Sequence, residues 1–393
     1  MKKSLLSLAL SVSLLTALPV SAASTVTLHD LLTMALERNK GLNDDQITQI
    51  SVSQWLTGAT TLSANYLNSQ QSQGSDEAEL RLTFPLKSPG QHDNDHALTV
   101  SNRLIQQRNK NLRQWYFSGL IREAIWSYLL VDTQIKAIED KQALLLQLKT
   151  QFAKQVDAGT SSKLGLLLAQ QEYLSTKTQR VGLEQQQAQW LKRLQQLTGH
   201  DRLPDNVIES RPEQQQWLLN EHPQVTLLRA EMQQALQVLK ASAVGMQPWN
   251  VSVTAKRINN PALSENQIGL GIDIPLGGRD TLTQADQSDW LRTRAQYEVQ
   301  LDNLYQDLQQ QWLTLDQQWQ TLKQQQALLG QQVVISHEIL KQVDLLKQRN
   351  EIEQELFLNR TLRAMEIQSA QSINQIQLYQ NQARLNQAAG VSL

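Results

Sequence analysis

The chain has 393 residues, 36 Lys+Arg against 37 Asp+Glu, and no cysteine. Near-neutral charge leaves no basic footprint for nucleic acid. The absence of thiols excludes disulfide frameworks, thiolate zinc sites and cysteine nucleophiles. Glutamine fills 59 positions, whereas Gly 16 and Pro 9 are sparse, which favours helix over a loop-rich or all-β chain because glutamine is an uncharged helix former.

Lys2 and Lys3 precede an apolar run, Leu5 to Leu15, that is too short to cross a bilayer. Val20-Ser21-Ala22 then supplies small residues for cleavage, so residues 1–22 read as a secretory signal peptide cut after Ala22 or Ala23. With no cysteine, no N-terminal lipid anchor is expected. No later run approaches 18 uninterrupted apolar residues, so no transmembrane helix is expected either.

Prolines punctuate the rest. Residues 90–203 and 276–393 contain none, and proline costs about 3 kcal/mol inside a helix. Fixed points recur at matching offsets around these windows. Phe84-Pro85-Leu86 answers to Ile274-Pro275-Leu276, Gly58 to Pro248, and Gly199 to Gly390. A duplication is expected, with repeat one over 23–205 and repeat two over 206–393. Trp115, Gly119, Arg122, Trp126 and Leu129, then Leu144, Leu148 and Phe152, recur at helical spacing. Long helical hairpins are predicted over 95–199 and 283–389. The first helix starts near Asp95, and its turn is the glycine stop and Ser/Thr caps of 157–162. The second turn falls at 347–353, where Asn350 stands in the left-handed position.

Before each long helix the period changes to two. Leu80, Leu82, Phe84 and Leu86 alternate with Glu79, Arg81 and Thr83. Trp249, Val251, Val253 and Ala255 alternate with polar residues, and so do Ile268, Leu270, Ile272, Ile274 and Leu276. Strands are predicted at about 61–68, 78–87, 249–258 and 267–276, joined by the polar stretches 69–77 and 259–266. The first is the least apolar. Such alternation suits ordinary soluble hairpins, but the length and the signal peptide favour strands that span a membrane. Four strands cannot close a barrel, and open edges are not tolerated in lipid. Several copies must therefore pool their strands, and three copies pool twelve. The same three copies pool twelve long helices, and a water-filled bore would wet them on two faces, as a glutamine-rich surface requires.

In order and spacing these pieces resemble the TolC-like outer membrane factors over nearly the whole mature chain. Thr27 to Asn39 resembles the family's opening helix. Asp157-Ala158-Gly159-Thr160-Ser161-Ser162-Lys163-Leu164 resembles its hairpin tip, Leu194 to Gly199 the end of its first repeat, and Gly269 to Leu276 a strand leaving the barrel. Within the family, the modest length, missing anchor cysteine and Phe-Pro-Leu and Ile-Pro-Leu junctions are most similar to the outer membrane component of cobalt–zinc–cadmium-type metal pumps.

The resemblance implies a mainly α fold with a small β part: duplicated long helical hairpins and four transmembrane strands per chain. It implies a homotrimer in the outer membrane of a Gram-negative bacterium, acting as a passive efflux duct without cofactor or enzymatic activity. Asp157, Ala158, Gly159, Thr160, Ser161, Ser162, Lys163, Lys347, Gln348, Arg349, Asn350 and Glu351 would dock a periplasmic adaptor, which couples the duct to an inner-membrane transporter. Leu80, Leu82, Phe84, Leu86, Trp249, Val251, Val253, Ile268, Leu270, Ile272 and Ile274 would face outer membrane lipid. Two departures stand out. Asn350 replaces glycine at the second tip, and Leu356 occupies the place of a tunnel-gating acid. Glu351, Glu353 and Glu355, tripled in a trimer, could form a cation-attracting ring and are the candidate gate; the residues by themselves favour the plainer reading, a solvated helix start whose dipole favours acids.

No catalytic set is present. His92 and His96 share a helix face but lack a third ligand, so no metal site is expected. A type I protein secretion duct and a periplasmic coiled-coil scaffold are the alternatives. Adaptor-like scaffolds carry β-rich domains between their hairpins, and the duplicated strands argue against that design.

Overall fold

The computed structural model describes residues 26–40, 53–160, 162–212, 219–243, 248–275, 284–349 and 351–393. The signal peptide, Ser161, Leu276 and Asn350 lie outside them. Mainly helical, the chain carries one small sheet. In order come α1 (Leu28–Arg38), β1 (Thr61–Leu67), β2 (Asp76–Leu86), α2 (Pro89–Asp157) and α3 (Lys163–Thr198). Then follow α4 (Pro223–Ala243), β3 (Trp249–Asn259), β4 (Ser264–Asp273), α5 (Gln284–Gln348) and α6 (Gln354–Ala388). One order, helix then two strands then a long helix and its return, runs twice.

The first long helix starts six residues earlier than the sequence suggests. Ser88 and Gln91 form a capping box and Pro89 takes the first helical position, where its missing N–H costs nothing. The helix has 69 residues, roughly 104 Å at 1.5 Å per residue. β4 likewise begins before the expected 267. Asn260 closes a tight turn, exchanging backbone hydrogen bonds with Leu263 and accepting from the Ala262 and Leu263 N–H groups, so the ladder already pairs Ser264 with Asn259. The strand ends at Asp273, three residues short of the expected 276. Both helical returns end the same way: Gly199 (φ +78) and Gly390 (φ +81) take the left-handed conformation that L side chains resist.

Across the bundle the order is α3, α2, α6, α5, with α4 against α2 and α5. Apolar packing comes in separate bands. One joins Leu31, Leu32 and Ala35 of α1 to Ile121, Ala124 and Ile125 of α2 and Leu194 of α3. Another joins Leu219 and Val225 to Leu301 and Leu308 of α5, and a third surrounds Trp312, Leu385 and Ala388. Between bands, amides replace apolar groups. Buried Asn374 donates to the Leu322 carbonyl (2.9 Å) and to Gln326 (2.7 Å), and Gln326 donates to Gln375 (3.2 Å). Neutral amide pairs let helices that are wet on other faces meet without charge desolvation.

A polar clasp fastens the chain's end to its middle. Buried Arg122 of α2 donates twice to Glu209 through Nε and once through Nη2 (2.6 Å), and its Nη1 reaches Gln387 and the Val391 carbonyl at 2.7 Å each. Trp115 Nε1 donates to the Gln387 carbonyl and the Gln387 amide returns the bond to the Trp115 carbonyl. Beside it lies His222, fully buried, edge-on to Trp115 at 4.9 Å, with its Nδ1 accepting the Gln224 N–H. Burial lowers its pKa to about 4. Because the folded state binds this proton less readily than the unfolded state, stability should fall as pH drops from about 6.5 to about 4, by about 3 kcal/mol in all. His222→Asn keeps an acceptor for Gln224 and removes the titration. The stability advantage of wild type over His222→Asn, read from urea unfolding, should shrink across that window; a constant difference would contradict the assignment.

Candidate membrane sheet and helix tips

The four strands form one antiparallel sheet in the order β1-β2-β3-β4. The register sorts side chains cleanly. Leu62, Leu82, Val253 and Leu270 form one cross-strand row; Ala64, Leu80, Ala255 and Ile268 form the next. Phe84, Val251 and Ile272 align toward the helices, followed by Leu86 with Trp249. Ten of the eleven residues expected to face lipid thus share one face, and Ile274 lies just past the end of β4. That face is open: Ile268 is 85% exposed, Leu270 82% and Ile272 65%. Apolar side chains of this size stay exposed in row after row only when something other than water covers them.

The opposite face is polar. Thr83 pairs with Ser252, Arg81 with Thr254, and Glu79 with Lys256; Lys256 also reaches Glu77 at 2.7 Å. Both outer strands, β1 and β4, keep an unpaired edge in the single chain. Leu62, Ala64 and Tyr66 of β1 belong to the apolar face but were not among the expected lipid-facing residues. Interleaved with Ser63 and Asn65 and only seven residues long, β1 shows its face through register rather than composition.

At the far end of the helices both hairpin turns meet. Leu145, Leu148 and Phe152 of α2, Ala169 of α3, Val343 of α5, and Phe357, Leu358 and Leu362 of α6 make a single buried cluster. Beyond it Asp157, Ala158, Gly159 (φ +68), Thr160, Ser162 and Lys163 stand exposed on the first tip, and Gln348, Arg349 and Glu351 on the second. Lys347 is different: half-buried, it lies 3.9 Å from the Phe357 ring centre and donates to Gln151 (3.0 Å), and burial lowers its pKa. A groove of about 720 Å³ separates the tips, lined by Thr160, Ser162, Leu164, Lys347, Glu353 and Glu355 among others. Glu353 caps α6 without a side-chain hydrogen bond and Glu355 lies in its first turn. Leu356, where the resemblance places an acid, is 46% exposed.

Sequence reasoning did not single out Gly165. A Cβ there would lie 2.7 Å from Gln354 Oε1 and 3.0 Å from Gln354 Cβ, so its missing side chain lets the two hairpins touch. Gln354 also donates across the same seam to Gln155. Gly165→Leu should force the tips apart at a cost of about 1–3 kcal/mol. Cysteine pairs placed across the 155/354 seam should then crosslink poorly, and unchanged crosslinking would count against a tight seam.

Among the described residues no group of three or more His, Asp or Glu is placed to hold a metal, and no helix is long and apolar enough to cross a membrane. No protein-family model and no curated protein matches the chain. Solved structures do. CusC, a transmembrane channel, is similar at 15% identity over 93% of this chain and 92% of its own, with a TM-score of 0.66. The outer membrane protein VceC of Vibrio cholerae matches at 14% identity over 93% and 96%, with a TM-score of 0.67. The MtrE outer membrane channel of Neisseria gonorrhoeae, in its open state, matches at 15% identity over 93% and 89%, with a TM-score of 0.66. The chain therefore has the TolC-like fold that these proteins share.

Proposed function

We propose that the chain is one subunit of a homotrimeric channel in the outer membrane of a Gram-negative bacterium, exported by a signal peptide removed after residue 22 or 23. In this reading three sheets of four strands close a twelve-stranded barrel, and the helices of three chains wall a tunnel through the periplasm. The channel is a passive, non-enzymatic conduit of a tripartite efflux pump. The tips at 157–163 and 347–351 receive a periplasmic adaptor, and an inner-membrane transporter supplies the energy and selects the cargo. Glu351, Glu353 and Glu355 are tripled around the tunnel mouth as an acidic ring. The halves 23–205 and 206–393 are two copies of one design.

The observation that carries the proposal is the sheet. It has one continuous exposed apolar face, one polar face and two open edges. Lipid on one side, water on the other and neighbouring copies at the edges satisfy all three at once. A soluble hairpin would bury its apolar face on a helix; among the described residues no helix packs on these strands, which outside the sheet meet only the segment around Leu56 at the helix end of β2. The channel fold of the similar structures is consistent with that reading.

The faces separate by mutation. Leu82→Arg puts a charge into hydrocarbon at about 2–4 kcal/mol per site near the midplane, and Ile272→Arg, one row nearer the helices, costs less; each trimer carries three copies. Both variants should lose outer-membrane recovery and trimer yield in mild detergent. Thr83→Arg, on the polar face, should keep both. Equal loss from both faces would overturn the reading.

A further inference from the structure

One row of the apolar face departs from its neighbours. Tyr66, Ala78, Arg257 and Asn266 align across all four strands. Arg257 is exposed on the same face as Val253 and Leu270. Among the described residues it has no hydrogen bond or ion pair. Among the described residues no charge nearby is in contact with it. Lys256 and Glu77 pair on the opposite face at 2.7 Å, and Asp76, one row further out, accepts the Ser69 N–H at 3.0 Å.

The surroundings of Arg257 are hollowed. Ala78 in this row and Ala64 and Ala255 in the next alternate with larger side chains, and a depression of about 560 Å³ is lined by them with Tyr66, Leu80 and Ile268. Its depth in the membrane follows from the strand. From Leu86 to Ala78 is eight residues, about 26 Å along β2 and about 20 Å of height at the usual tilt of a barrel strand. With Trp249 at the helix end, Tyr66 and Arg257 then lie near the outer border of an apolar band about 25 Å tall, where headgroups begin.

We infer that this row binds a phosphorylated, acylated lipid of the outer leaflet. The planar guanidinium of Arg257 takes the phosphate through two parallel hydrogen bonds, Tyr66 and Asn266 offer further donors, and the alanine hollow takes the first methylenes of an acyl chain. An unpaired cation beside hydrocarbon is costly, and a lipid phosphate is the counter-ion available at that depth. The inference rests on the membrane reading above and adds a ligand to it.

The test uses full-length protein, extracted in mild detergent, delipidated and titrated by native mass spectrometry. The probes are diphosphoryl lipid A, the same lipid without its phosphates, and inorganic phosphate. Wild type should bind the phosphorylated lipid about tenfold more tightly than the phosphate-free one, a factor expected for one charge-assisted contact. Arg257→Gln should lose that preference, and Arg257→Lys should keep part of it. Ala78→Leu, which fills the hollow and leaves the Arg257 charge in place, should weaken binding of both lipids. Equal binding of both lipids by wild type, or an undiminished preference in Arg257→Gln, would overturn the site. So would millimolar inorganic phosphate displacing the lipid while Ala78→Leu has no effect, since that describes a free-anion site. If wild type and Arg257→Gln both fractionate with the outer membrane yet bind the lipids alike, the site fails and the channel reading stands. If wild type never reaches the outer membrane, both fail.

Discussion

A four-stranded sheet with an apolar face and two bare edges cannot be stable by itself in water or in lipid. In water the face lacks cover; in lipid each unpaired edge group costs several kcal/mol. Much of the molecule can be understood from that constraint. The strands emerge from the ends of long helices, so the sheet stands clear of the body that would otherwise bury it. Leu270 and Ile268 are left open while the polar face carries its charges in cross-strand pairs such as Lys256 with Glu77. Arg257 is the exception, an exposed cation on the apolar face.

The helical body obeys a second constraint, that long helices must pack without a globular core. Among the described residues, apolar clusters fall in bands near α1, between α4 and α5, near the end of α6 and at the tips. Between them amide contacts such as Asn374 with Gln326 stand beside interhelical ion pairs such as Arg180 with Glu139. Arg122, the one strongly buried charge among the described residues, is matched by Glu209 and by carbonyl and amide partners from the last turn of α6 and the residues after it. Losing one member of such a pair costs about 3–5 kcal/mol, because the other is left uncompensated. The clasp therefore fixes how the chain's end sits on α2, and with it the spacing of the two hairpins.

Much of the fold was legible in the sequence because its signals are long. Two proline-free windows, a change of period from 3.6 to two, and glycines at matching offsets mark the helices, the strands and the hairpin ends. What was missed was local or non-local. The proline-free window begins after Pro89, yet the Ser88 and Gln91 box makes that proline the helix start, six residues before Asp95. The apolar face of β1 was faint because Ala64 and Leu62 gain meaning only through pairing with Leu80 and Leu82. Gly165 looked like an ordinary helical glycine, since its reason lies across the seam on Gln354. Whether the tips and the acids beside them dock a partner or gate a tunnel depends on other chains, and a single chain's pattern does not carry that information.

The proposed trimer requires β1 of one chain to pair with β4 of the next. The protein has no cysteine of its own, so introduced pairs report without background. Ser63→Cys in β1 can be combined in turn with Gln267→Cys, Gly269→Cys or Gly271→Cys in β4. Within one chain these positions are three strand spacings apart, about 14 Å, well beyond disulfide reach. If the strands pair in this way, at least one pair, oxidised in intact cells, yields a covalent trimer on a non-reducing gel while each single variant does not. Monomer alone at every register would contradict it.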